Sequence, residues 1–139
     1  MTEQPTRRTV LAVGAVGLSA GALAACSAAS SGGGTPAGGL TAGVPLAKLS
    51  DIPVGQAISV DGPQGAKIIL ARPTASTVAG FSAVCTHQGC LVRPVGNQLD
   101  CPCHGSVYNA ITGEVLVGPA ARALPKVPVT ITGDNVMTG

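Results

Sequence analysis

Two short boxes hold four of the five cysteines and both histidines of the chain, and they constrain it more than anything else in the sequence. The first is Cys85-Thr86-His87-Gln88-Gly89-Cys90. The second, after Leu91–Asp100, is Cys101-Pro102-Cys103-His104-Gly105-Ser106-Val107-Tyr108. Cys85 and His87 form a C-x-H pair, and Cys101 and His104 a C-x-x-H pair. Each pair can place a thiolate and an imidazole on one tight loop, and two such loops can face each other. Thiolate and imidazole together suit zinc or an iron–sulfur cluster. Cys90 and Cys103 are left over, and they are expected at matching places, one in each loop.

At these residues the chain resembles the Rieske family, over about the last two-thirds of its length. In that family two cysteines hold one iron and two histidines the other, which raises the reduction potential above that of all-cysteine clusters. The resemblance implies a [2Fe-2S] cluster held by Cys85, His87, Cys101 and His104, with a disulfide between Cys90 and Cys103 clamping the loops together. It also implies that Ser106 and Tyr108 tune the cluster, the first through a bridging sulfide and the second through a ligand cysteine. Gly118-Pro119-Ala120 resembles the proline loop that shields the site from water; a plain turn is the alternative for those residues. A structural Cys2His2 zinc site is the alternative for the boxes. Zinc fingers usually segregate a Cys pair from a His pair, whereas here each loop carries one of each.

The N-terminal third reads as an address and a tether. Thr6-Arg7-Arg8-Thr9-Val10-Leu11 resembles a twin-arginine export signal, with an ordinary secretory signal as the alternative. The apolar run from Val10 to Ala25 is short beside the ~20 residues of a membrane span and suits a signal-peptide core. An iron–sulfur domain assembled inside the cell would have to leave it folded, as the twin-arginine route allows. Leu23-Ala24-Ala25-Cys26 resembles a lipobox, so residues 1–25 are expected to be removed and Cys26 lipidated, anchoring the protein to the outer face of the cytoplasmic membrane. Ordinary cleavage leaving a free thiol, or an uncleaved signal serving as anchor, are the alternatives. Residues 26–43, rich in Gly, Ser and Ala, are expected to be a flexible linker with a reach of roughly 20–25 Å.

From Val44 to Gly139 short apolar runs alternate with Gly, Pro and Asp breaks, and no window has helical periodicity. The expected fold is all-β, a Rieske-like sandwich with a small cluster-binding subdomain of two metal loops. Expected strands are Gln56–Val60, Ala66–Arg72, Thr77–Val84, Gln98–Leu99, Val115–Leu116, Val127–Thr132 and Asn135–Met137. Only 1% of the chain is aromatic, while Gly numbers 20 and Pro 11. The core must therefore come from aliphatic residues, and cross-links would help hold so thinly cored a domain. With a net charge of +2 and no basic run, nothing points to nucleic acid.

The function implied by the resemblance is one-electron transfer outside the cell, as a tethered carrier or as the small subunit of a quinol- or substrate-oxidising complex, arsenite oxidase being an example of the latter. Redox proteins are the implied partners, and quinol a further one. In quinol-oxidising relatives the residue after the first histidine is typically Leu; here it is Gln88, which counts against direct quinol oxidation. A zinc-binding surface lipoprotein without redox chemistry is the alternative of another class.

Overall fold

The computed structural model describes residues 39–139. The expectations for the export signal, for Cys26 and for most of the linker lie outside the described residues. The described chain is built of β-strands and two single-turn 3-10 segments. In chain order the strands are β1 (Pro45–Lys48), β2 (Ala57–Asp61), β3 (Lys67–Thr74), β4 (Thr77–Ser82), β5 (Arg93–Val95), β6 (Gln98–Asp100), β7 (Val107–Asn109), β8 (Val115–Val117), β9 (Lys126–Val127), β10 (Val129–Thr132) and β11 (Asn135–Thr138). They form three antiparallel sheets, ordered β1-β11-β10, β2-β3-β4-β9 and β5-β6-β7-β8.

The middle sheet is covered on both faces, which explains the unbroken apolar run of β3. Side chains alternate across a strand, so Ile68 and Leu70 point one way and Ile69 and Ala71 the other. Ile68 and Leu70 join a core with Ile52 and Val136, against which Leu46 of β1 and Val129 of β10 pack. Ile69 and Ala71 join Phe81, Leu99 and Tyr108 in a second core under the sheet β5–β8. All four β3 residues are at most 1% exposed. At about 1.5–3 kcal/mol for each fully buried large aliphatic side chain, this strand contributes heavily to holding three layers together.

The all-β expectation holds, with differences at strand ends. The stretch Val127–Thr132 is two strands, because Pro128 cannot donate to a ladder and the chain changes sheets there: β9 pairs with β4 and β10 with β11. Three further strands, β1, β5 and β7, complete the sheets beyond those expected from the sequence. Two of these contain proline, and all three have four residues or fewer, too short for an alternating pattern to stand out. Ordered packing also begins ahead of Val44. Leu40 packs against the core, Gly43 N–H donates to the Thr138 carbonyl at 2.8 Å, and the buried Thr138 hydroxyl donates to the Thr41 carbonyl at 2.6 Å.

This topology places three loops of interest. The first box connects β4 to β5, the second forms the turn between β6 and β7, and Gly118-Pro119-Ala120 follows β8. Two neighbouring sheets therefore present the loops on a rigid scaffold, a common way to position chemistry.

Candidate metal centre

The two boxes fold into the same backbone turn. In the first, Cys85 N–H donates to the Cys90 carbonyl at 2.7 Å, and Gly89 N–H returns to the Cys85 carbonyl at 2.9 Å. In the second, Cys101 N–H donates to the Ser106 carbonyl at 2.8 Å, and Gly105 N–H returns to the Cys101 carbonyl at 3.0 Å. Both turns need a left-handed residue at the fifth step, and Gly89 (φ 79°) and Gly105 (φ 76°) supply it without a Cβ penalty. A β-bridge between Val84 and Leu91 closes the base of the first loop. The ladder between β6 and β7 closes the second.

Counting from the leading cysteine of each turn shows what the sequence concealed. Cys85 matches Cys101, but His87 matches Cys103, and Cys90 matches Ser106. The leftover cysteines thus occupy different steps of equivalent turns. They are joined in a disulfide, with a Cα–Cα separation of 6.4 Å. Cys85 and Cys101 are free and buried. Cys101 Sγ lies within 4.8 Å of both disulfide sulfurs. Those two are bonded to each other, so this group of three sulfurs offers a single thiolate. The His87 and His104 rings stand edge to face, with centroids 4.9 Å apart and planes at 87°. His87 Nδ1 is buried with no hydrogen-bond partner.

Tyr108 is fully buried beneath the first loop. Its hydroxyl lies 3.2 Å from Cys85 Sγ and 3.1 Å from Thr86 Oγ1, and accepts from Thr86 N–H at 3.1 Å. Thr86 spends its own hydroxyl proton on the Arg122 carbonyl, at 2.6 Å. The single Tyr108 proton is therefore free to go to Cys85 or to Thr86, and a thiolate attracts it more strongly. Burial pushes the Cys85 thiol up, but hydrogen bonds from Tyr108, from the His87 backbone, from Cys101 and from Ser106 outweigh it and hold the thiol below its ordinary range. Burial, reinforced by Cys85, pushes the Tyr108 hydroxyl up against the opposing bonds to Thr86, so it stays a donor at neutral pH.

Ser106 is also fully buried. Its hydroxyl accepts from Ala120 N–H at 3.0 Å, which leaves its own proton available to the site. Through this bond and the Thr86–Arg122 bond, the third loop is tied to both metal loops. Gly118 and Pro119, joined by a cis peptide bond, are exposed, and Ala120 is buried. The parts played by Thr86, by the Ala120 amide and by the Arg122 carbonyl were not read from the sequence. A threonine between the cysteine and histidine of the first box is the only local signal, and main-chain groups leave none.

Two buried free thiols, two facing imidazoles, one of them with an orphaned buried nitrogen, and a buried serine hydroxyl with its proton on the thiol side suit a group that accepts both sulfur and nitrogen ligands and carries its own hydrogen-bond acceptors. An all-β frame with this donor set defines a small iron–sulfur electron-transfer domain. The comparisons specify it: the Rieske [2Fe-2S] domain model matches residues 43–128, and the chain belongs to that family. A cytochrome b6-f complex iron-sulfur subunit from Synechococcus sp. (strain JA-2-3B'a(2-13)) is 56% identical over 59 residues, 41% of this chain and 34% of that protein. The corresponding subunit of Synechococcus sp. (strain WH7803) is 40% identical over 115 residues, 78% of this chain and 64% of that protein. The chain thus spans less than two-thirds of the length of these curated relatives. The crystal structure of the cyanobacterial plasma membrane Rieske protein PetC3 from Synechocystis PCC 6803 is similar at 26% identity. Its TM-score is 0.60, and the match covers 69% of this chain and 98% of that one.

Proposed function

We propose that this protein transfers single electrons outside the cell, with Cys85 and Cys101 holding one iron of the [2Fe-2S] cluster and His87 and His104 the other. The observation that carries this reading is the sorting of four cysteines: Cys90 and Cys103 close a disulfide, while Cys85 and Cys101 remain buried as thiols beside two facing imidazoles. The cluster supplies a one-electron redox couple. The chain's own residues set its environment. Tyr108 gives its proton toward Cys85, and Ser106 keeps a proton turned to the site; both bonds favour the more negative, reduced state. The third loop, with Gly118 and Pro119, limits the approach of water, and the disulfide holds the two turns together.

In this reading residues 1–25 are the export signal, Cys26 carries the lipid anchor, and a flexible linker frees the domain of residues 44–139 to swing between redox partners. Among the described residues no helix is long and apolar enough to cross a membrane. Relatives named as cytochrome b6-f subunits favour docking to a larger redox complex as a second reading. Gln88 beside His87 favours a protein partner over direct contact with quinol.

The test is chemical analysis with spectroscopy. Freshly purified protein should carry iron and acid-labile sulfide in equal amounts and give a rhombic EPR signal on reduction. Bound zinc, or no metal at all, would overturn the assignment. Mass spectrometry of the mature N-terminus checks the anchor: an unmodified Cys26 or an intact Met1 refutes it.

A further inference from the structure

Behind the second metal loop the outer face of β5–β6–β7 forms a cleft of about 400 Å3, lined by Arg93, Val95, Asp100, Cys101, Ser106 and Val107 among others. Asp100 is the one acidic residue among these. Its neighbour Leu99 supplies the core face of β6 and is fully buried, so Asp100 points to the opposite face. Even so, Asp100 Oδ1 is shut off from water and has no hydrogen-bond partner. Arg93 sits directly opposite in the β5–β6 register. It is exposed and does not close an ion pair: among the described residues the one salt bridge is Lys67–Asp61, elsewhere in the fold.

Asp100 as a whole is half-buried, so the cost falls on this one oxygen, which loses water and gains no partner. Asp100 caps no helix, packs in neither core and completes no ion pair. Unsatisfied buried groups in native structures ask for a functional explanation. Its position suggests one, because the next residue in the chain is Cys101. A negative charge on a half-buried residue beside a ligand acts on the cluster's charge with less screening than a fully exposed one would.

We infer that Asp100 is a redox-setting residue of the second metal loop, lowering the reduction potential through its negative charge, and that Arg93 across the strand pair opposes it. The inference rests on Cys101 being a cluster ligand. The sign is simple. Reduction adds a negative charge, so a nearby carboxylate disfavours the reduced state and a guanidinium favours it. Arg93 is exposed and its effect is screened, so it is the weaker of the two.

The experiment is a redox titration of the full, cluster-loaded protein, followed by EPR and visible absorption. At a fixed ambient potential, Asp100→Asn should raise the ratio of reduced to oxidised cluster several-fold, on the order of tenfold at most. Arg93→Glu should lower that ratio, less so as salt is added. Asp61→Asn, which removes an exposed carboxylate paired with Lys67 in the middle sheet, should leave it unchanged. A purely structural role for Asp100 would alter cluster retention without this opposed pair of shifts. If Asp100→Asn fails to load, Arg93→Glu reads the same field by itself, and an unchanged ratio there overturns the inference. So does an unchanged ratio in a loaded Asp100→Asn protein. An unmutated protein without the rhombic signal would instead sink the cluster assignment, so the two failures are distinguishable.

Discussion

Replacing Tyr108 with Phe keeps the buried ring and removes one oxygen. That oxygen lies 3.2 Å from Cys85 Sγ and accepts from Thr86 N–H at 3.1 Å. Because the ring stays, no sizeable cavity opens, and the losses are those of hydrogen bonds. Stability should fall by about 1–3 kcal/mol, the cost of leaving the Thr86 amide without its buried acceptor. The electronic effect is separate. A bond to a ligand sulfur is stronger when the sulfur bears more charge, so its loss penalises the reduced state. If about 1–1.5 kcal/mol of its strength differs between the two redox states, the potential falls by about 43–65 mV, since 59 mV is tenfold for one electron. Protein-film voltammetry on the loaded variant reads this shift, and EPR shows whether the cluster is otherwise intact. An unchanged or higher potential with an intact spectrum refutes the argument that Tyr108 donates to Cys85.

Further expectations follow from the same geometry. Ser106→Ala should also lower the potential, and because it removes the acceptor of Ala120 N–H, it should hasten bleaching of the visible absorption by chelators. Replacing both Cys90 and Cys103 with Ser opens a closure spanning 13 residues of sequence separation. It should cost about 3 kcal/mol by the loop-entropy argument, seen as a lower denaturant midpoint and faster cluster loss. Leu70→Ala, in the doubly covered strand β3, should cost about 2–5 kcal/mol in denaturant unfolding and leave the potential unchanged, since Leu70 belongs to the core remote from the metal loops. In the metal-free protein, Tyr108→Phe should raise the pH at which thiolate absorbance appears, because Tyr108 is the foremost of the bonds holding Cys85 below its ordinary range.

What the sequence determined by itself is the chemistry of the centre. Ligand-type side chains were legible because each box is a contiguous turn, and a local motif carries its residues with it whatever surrounds it. The all-β class was legible for a related reason: strand length and turn residues are local properties; that β3 is covered on both faces only the structure shows. The tertiary structure decided everything that depends on what lies across a gap. Pro128 is visible in the sequence, but that it passes the chain from the middle sheet to the outer one is a fact of strand partners. Val107-Tyr108-Asn109 is a strand because Gln98–Asp100 pairs with it, not because three residues have any period of their own. The equivalence of the two metal turns, the Thr86–Arg122 tie and the unpaired oxygen of Asp100 rest on hydrogen bonds made or missing between distant main-chain and side-chain atoms. Such bonds follow from where the chain brings two groups together, and no residue type encodes that alone.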